Sequence, residues 1–244
     1  TKNWNFKGLM KYKRMFFKKF YIKSLVTMDS RFKTMFETYL NKIKIIFRQT
    51  GLNNLNNKNW QFIMSINKLE DGMPYTIDKY IVFNKDRLLS ELESFNKDGI
   101  NMNLLETIIH EMMHILQRYN QTKFNHFYRD TYHFLGRSIP LEQLPKKIKK
   151  RYMTNPDSNF LIWIYKYKNN SYFPILSKKG YSYEDIGINT RSGKTIGLDN
   201  MRVSNNFSKY ISFYHPNEIF ACYVSALILK RQSNNSYIRF LKKI

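Results

Sequence analysis

The most informative segment of the sequence runs from Leu104 to Tyr119, LLETIIHEMMHILQRY. Its apolar residues recur at the three- and four-residue spacing of an amphipathic helix, and the same turns carry His110, Glu111 and His114. Residues four apart stand on one face of a helix, so the two imidazoles can reach a single ion. The stretch is therefore either a metal site or an amphipathic helix that contains these residues by coincidence.

The H-E-x-x-H spacing suits zinc-assisted hydrolysis. Tetrahedral Zn²⁺ accepts imidazole nitrogens at about 2.0–2.1 Å, while Glu111, rotated by about 100° from His110, can take a proton from water. With the histidine and glutamate content of this chain, a chance match is rare, on the order of a few in a thousand. Buried histidines and glutamate without a partner would also be costly, and the neighbours are apolar, namely Leu105, Ile108, Ile109, Met112, Ile115 and Leu116.

Composition narrows the class of protein. The chain has 244 residues, 43% of them hydrophobic and 16% aromatic, which is ample for a packed core. No apolar run reaches the length of about 18 residues that a membrane-spanning helix needs. Cys222 is the single cysteine, so the chain has no internal disulfide and no Cys-rich zinc site. A metal would be held by His, Asp or Glu, and we expect a reducing location, in the cytoplasm or in a virion.

The net charge of +23 has two interpretations. It can indicate a nucleic acid, an acidic membrane surface or another acidic partner. It can equally reflect the Lys-, Asn-, Ile-, Tyr- and Phe-rich composition that AT-rich genomes encode, since basic residues are scattered as well as clustered.

The hydrophobic patterning predicts an α+β protein that is rich in helices. Residues 1–55 are expected to form a basic helical N-terminal region, with Asp29 or Ser30 capping a helix through Phe47. Residues 56–244 are expected to form the second domain. Strands are predicted for 59–67, for 79–84 and within 158–167, and loops with short strands for 177–200. Helices are predicted for 86–95, for the motif stretch from Asn103 with Glu106 in a capping box, for 124–135 and for 215–231, where Pro216 suits the first turn.

Three short segments resemble the zincin superfamily of metallopeptidases: MPYTIDKYIVFN, IIHEMMHILQRYN and HPNEIFA. More narrowly, they look like a group of predicted metallopeptidases of giant DNA viruses. The resemblance covers about 140 residues by these motifs and implies a mixed sheet whose edge strand lies over the motif helix and pairs with an extended peptide substrate. KYIVFN stands where that edge strand is expected.

A catalytic zinc needs a third protein ligand. The stretch NEIFA resembles the N-E-x-x-A pattern of the gluzincin branch, which implies Glu218 as that ligand on a second helix. Two departures from the branch are the roughly 100 residues that separate the motifs and Cys222, which stands where the thermolysin group has an Asp that supports a histidine ligand. Support for the ligands is therefore expected from elsewhere. Gln117 lies on the same helix face as His114, so it is either such a support or a solvated side chain. His126, His133 and His215 remain rival third ligands.

The expected activity is hydrolysis of a peptide or protein substrate by a zinc-dependent metallopeptidase, with Glu111 activating water. Gluzincins use a Tyr or His to stabilise the oxyanion, and Tyr214 and His215 are the first candidates here, followed by Tyr210 and Arg202. The alternative function is a nucleic-acid-associated or virion structural protein that keeps an inactive zincin fold.

Overall fold

The structure is a computed structural model that describes residues 23–66, 72–94, 99–137, 146, 162–179, 182–197 and 215–244. Its helices are α1 (Ser30–Thr50), α2 (Asn53–Asn56), α3 (Lys85–Glu93), α4 (Met102–Tyr119), α5 (Gln121–Tyr132), α6 (Pro216–Leu229) and α7 (Ser236–Leu241). Its strands are β1 (Leu25–Val26), β2 (Gln61–Ser65), β3 (Tyr75–Ile77), β4 (Tyr80–Asn84), β5 (Phe134–Arg137), β6 (Ile162–Tyr167), β7 (Asn170–Lys179), β8 (Ser182–Asn189) and β9 (Thr195–Gly197). The predicted α+β class is confirmed. None of the helices within these ranges combines the length and the apolarity needed to cross a bilayer.

The chain separates into two compact units. The first comprises residues up to Ile43 and Asn59–Leu105, and the second comprises Lys44–Lys58 and Glu106–Ile244. The limits of these units differ from the predicted boundary after residue 55. The division into two domains at that boundary stays a prediction.

The first unit contains a mixed four-stranded sheet in the order β1-β2-β4-β3, in which β2 and β4 are parallel and the other pairs are antiparallel. The KYIVFN strand is β4, so it lies inside this sheet and not at its edge, and that expectation was wrong. Ile81, Val82 and Phe83 are all buried, as consecutive residues of an interior strand are. The edge position next to β4 belongs to β3, which the sequence pattern did not predict.

Capping side chains set the starts of two long helices. The Asp29 carboxylate accepts a hydrogen bond from the Phe32 N–H at 3.1 Å, which confirms Asp29 as the cap of α1. The motif helix α4 is capped by Asn101, whose side-chain oxygen accepts from the Asn103 and Leu104 N–H groups at 3.0 and 3.3 Å. The predicted start at Asn103 is therefore one residue late, and Asn103 is not the cap.

The second unit contains an antiparallel five-stranded sheet, β5-β6-β7-β8-β9. Strands β7 and β8 pair over eight residue pairs, so the region predicted as loops and short strands is largely a long hairpin. Helix α5 ends at Tyr132, and Phe134 and Leu135 belong to β5 instead of the predicted helix. His133 makes this change of direction because it adopts a left-handed conformation, with φ of 59°.

An aromatic cluster holds the helices of the second unit together. Rings of α5 contact rings of α6 and α7, with centroid distances of 4.9 Å for Phe124–Phe220 and 4.5 Å for Phe127–Phe240. Tyr128 also contacts Trp163 of β6 at 5.5 Å. Edge-to-face and tilted aromatic pairs of this kind contribute beyond their buried area, so the cluster fixes α6 against α5 and the sheet.

Candidate metal centre

Helices α4 and α6 run antiparallel and are linked by a series of polar contacts. As the residue number rises along α4, that of its partner falls along α6, and the pairs are Glu106–Ser225, His110–Cys222, His114–Glu218 and Gln117–Asn217. The apolar neighbours that were predicted to surround the motif are all buried. Ala221 is fully buried as well, and its small side chain leaves room for α4 beside α6.

The centre of this contact series is a group of three potential metal ligands. Within the described part of the chain, ligand atoms of His110, His114 and Glu218 all lie within 4.8 Å of one another. The two Nε2 atoms are 2.9 Å apart, and each lies 3.3 Å from a different carboxylate oxygen of Glu218. A tetrahedral ion with bonds of about 2.05 Å holds its ligand atoms about 3.3 Å apart. Both distances from a histidine Nε2 to a Glu218 oxygen match this ligand-to-ligand distance. The distance between the two Nε2 atoms would have to increase by about 0.4 Å when an ion binds.

Each imidazole is oriented by a contact on its other nitrogen. His114 Nδ1 lies 2.8 Å from Oε1 of Gln117, and the Gln117 amide in turn donates to the Asn217 carbonyl at 3.0 Å. Because a glutamine Oε1 only accepts, Nδ1 of His114 carries a proton, and Nε2 is the nitrogen that faces the cluster. The Cys222 sulfur lies 3.6 Å from Nδ1 of His110. Support from elsewhere was expected, and Gln117 supplies it for His114. Cys222 also contacts a histidine of the site, which was not expected.

The electrostatics of the cluster favour a negative carboxylate between cationic groups. Burial opposes the ionisation of Glu218, but the charge of His114 and hydrogen bonds from both histidines hold its pKa well below the usual value. Burial likewise opposes protonation of His110, but its contacts with Cys222 and Glu218 raise its pKa well above 6.5. Glu218 also lies in the first turn of α6, where the helix dipole favours an acid.

The site is accessible from one side. The side chain of His114 is 2% exposed, whereas those of His110 and Glu218 are 18% and 17% exposed. Glu111 occupies the next position on α4 after His110 and is 5% exposed. The arrangement thus offers two nitrogens and a carboxylate to one ion, with the open side formed by His110 and Glu218.

His215 is the N-cap of α6, and its Nδ1 accepts a hydrogen bond from the Asn217 N–H at 3.1 Å. Burial lowers the pKa of His215 to about 3, so the imidazole is neutral near pH 7. Since Nδ1 is an acceptor, the proton is on Nε2, which makes His215 a neutral donor. Its ring also packs edge-on against Trp163 at 6.1 Å.

The other predicted site residues fall elsewhere. His126 and His133 are exposed and do not join the ligand group, and neither does His215. Tyr214, Tyr210 and Arg202 lie outside the described residues.

One polar residue near the centre was not predicted. Burial raises the pKa of Tyr128 well above 10, and the negative charge of Glu218 raises it further, so its hydroxyl stays neutral beside the site. Nothing in the local sequence distinguishes Tyr128 from the other tyrosines of the chain.

Comparisons with known proteins found no match, whether to a protein-family model, to a curated protein or to a solved structure.

Proposed function

We propose that this chain is a zinc-dependent metallopeptidase in which His110, His114 and Glu218 hold the ion. The observation that supports this most directly is the convergence of two Nε2 atoms and one carboxylate, with each Nδ1 held by a separate side chain. Metal-ligating histidines are oriented in this way, through a hydrogen bond on the nitrogen that does not bind the metal.

The proposed roles follow from position. When bound, zinc would supply Lewis acidity that polarises a carbonyl group and acidifies water. Glu111 is the proton acceptor. It follows His110 directly on α4, but the helix points its side chain in a different direction from the two ligands, so it can take a proton from water without binding the ion. His215 is a candidate donor to the oxyanion of the substrate, since it is neutral and carries its proton on Nε2.

The decisive first experiment is elemental analysis of dialysed wild-type protein beside Glu218→Ala. The expected result is about one zinc per chain in the wild type and a large loss in the variant. Glu106→Ala is the matched control, because it removes another partly buried carboxylate of the same contact series. Zinc at the wild-type level in Glu218→Ala would contradict the ligand assignment, and absence of zinc from all three proteins would contradict the metal site.

Hydrolysis is tested separately, with a broad peptide library and the zinc-loaded protein. Cleavage that depends on zinc and is lost in Glu111→Gln supports a peptidase. A zinc-loaded wild type that leaves the library intact, as Glu111→Gln does, contradicts the peptidase and favours an inactive zincin-like structure.

A further inference from the structure

The second unit also contains a cleft whose lining includes none of the three proposed metal ligands. It is a cleft of about 680 Å³ lined by Arg129, His133, Lys166, Tyr167, Lys168, Asn169, Asn170, Ser171 and Arg191. We call it the basic cleft. Its lining contains four permanently cationic side chains and, among the described residues, no carboxylate. None of these four cations forms an ion pair with an acid in the described ranges.

The backbone around the basic cleft is fixed by tight turns. Lys168 and Asn169 have φ of 44° and 60°, the two left-handed residues of a type I′ turn between β6 and β7. The Asn189 side chain accepts hydrogen bonds from the N–H groups of Arg191 and Ser192 at 2.9 and 2.8 Å, which orders the turn after β8.

Further hydrogen bonds tie the walls of the cleft to one another. The Asn189 amide donates to the Asn170 side chain at 3.2 Å, so the two turns are directly linked. The Lys166 N–H donates to the His133 carbonyl at 3.2 Å, which joins β6 to the end of α5. The cations therefore project from a hydrogen-bonded framework and not from an irregular surface.

Like charges that surround one cavity repel one another and concentrate a positive field inside it. A ligand that brings several negative groups relieves this repulsion. The volume lies within the range of about 300–1,000 Å³ that is usual for ligand sites, and is far larger than one phosphate requires. The guanidinium groups of Arg129 and Arg191 match the paired oxygens of a phosphate, and Asn and Ser side chains are further donors to such oxygens.

We infer that the basic cleft binds single-stranded nucleic acid through consecutive phosphates of its backbone. A strand supplies closely spaced negative charges, which suits four cations around one cleft. Tyr167 is partly buried in the wall, with Lys168 Nζ 5.2 Å from its ring centre, and adds a planar surface of the kind that single-strand sites use beside bases. This inference does not depend on the metal centre.

The test uses the 244-residue chain and a fluorescein-labelled oligothymidylate, with binding followed by fluorescence anisotropy at several salt concentrations. Contacts to four phosphates predict a slope of about −2.8 for log K against log salt, which is a loss of roughly fiftyfold between about 50 and 200 mM. In Lys168→Gln/Arg191→Gln the slope should fall to about −1.4, because two contacts are removed.

The matched control is Arg31→Gln/Lys79→Gln. It lowers the net charge by the same two units, and both of its exposed cations also lie over aromatic rings, at 5.6 and 5.5 Å. We expect its slope and affinity to stay near those of the wild type. All these positions are exposed, so circular dichroism melts of the variants should coincide with the wild type.

Equal weakening by the two double variants would overturn the inference, because binding would then follow total charge and not the basic cleft. An oligothymidylate that does not bind at low salt would overturn it as well. Poly-L-glutamate that displaces the oligonucleotide at equal concentration of negative charge would assign the cleft to acidic proteins instead.

Discussion

Gln117 provides the sharpest test of the proposed metal centre because it is not one of the proposed ligands. It is 3% exposed, its Oε1 faces Nδ1 of His114 at 2.8 Å and its amide donates to the Asn217 carbonyl at 3.0 Å. Gln117→Leu keeps the approximate size but removes both contacts. Gln117→Glu keeps an acceptor for His114 and removes only the donor to Asn217. The pair of variants thus separates support of the ligand from attachment of α6.

The magnitude follows from these contacts. Loss of the partner that orients a ligating histidine typically weakens metal binding by about 10–100-fold, or about 1.4–2.7 kcal/mol. At a fixed concentration of unbound zinc, the stabilisation by the metal falls by the same amount. For a chain of this size the zinc-induced rise in Tm should shrink by about 3–10 °C in Gln117→Leu. Gln117→Glu should keep the wild-type rise, because a carboxylate supports a metal-bound histidine well.

The metal-free proteins behave differently. Both variants leave the buried Asn217 carbonyl without the Gln117 donor, which costs about 1–3 kcal/mol. Both should therefore melt below the wild type when zinc is absent. The difference between zinc-loaded and zinc-free melting, and not the absolute Tm, is the quantity that reports on the site.

The assay is differential scanning fluorimetry at several buffered zinc concentrations, with affinity confirmed by competition against a chromophoric chelator. Gln117→Leu that binds zinc as tightly as the wild type would rule out this role of Gln117. An equal loss of affinity in both variants would also refute it, since the acceptor for His114 would then be irrelevant.

Three further predictions concern single residues. Glu111→Gln should reduce hydrolysis by at least about a hundredfold without loss of zinc. Glu106→Gln, on the same helix, is the control that should stay active. Unchanged hydrolysis in Glu111→Gln would exclude Glu111 as the proton acceptor. His215→Ala should lower the free energy of unfolding, measured by urea denaturation, by about 1–2 kcal/mol through loss of the α6 cap. His215→Asn should recover most of this stability. Equal losses in the two variants would argue against the cap. Gly51, with φ of 74°, ends α1, and Gly99 has φ of 71°, so alanine at either should cost about 1 kcal/mol in the same assay; a neutral Gly51→Ala would show that the left-handed turn is dispensable.

Local patterns predicted the parts of the molecule that depend on local chemistry. The motif helix, the cap at Asp29 and the helix that carries Glu218 follow from periodicity and capping, which act within a few residues. The grouping of His110, His114 and Glu218 followed from the resemblance to zincins, and the geometry brings these three together. For Gln117 the sequence left open a supporting role or a solvated side chain, because it stands on the same helix face as His114, and the structure shows the contact with His114.

Long-range contacts account for what could not be predicted. Cys222 lies 112 residues from His110 in sequence, and no local signal links them. The pairing of β4 with β2 is parallel and non-local, although the consecutive apolar residues of KYIVFN were a signal for an interior strand. The basic cleft is likewise assembled from a helix end and two separate turns, so its residues are scattered in sequence.

The energetics of the contact series argue against coincidence more strongly than the motif does. A row of polar side chains in the interface of two otherwise apolar helices is costly, because apolar residues of similar volume are often as stable or more stable by about 1–4 kcal/mol. Here the polar row extends over four pairs, from Glu106–Ser225 to Gln117–Asn217, and its members hold one another in fixed orientations. An ion at the centre would supply binding free energy that offsets this cost, since metal binding is linked to folding. The same interface without an ion would lack this contribution, which supports the proposed metal site.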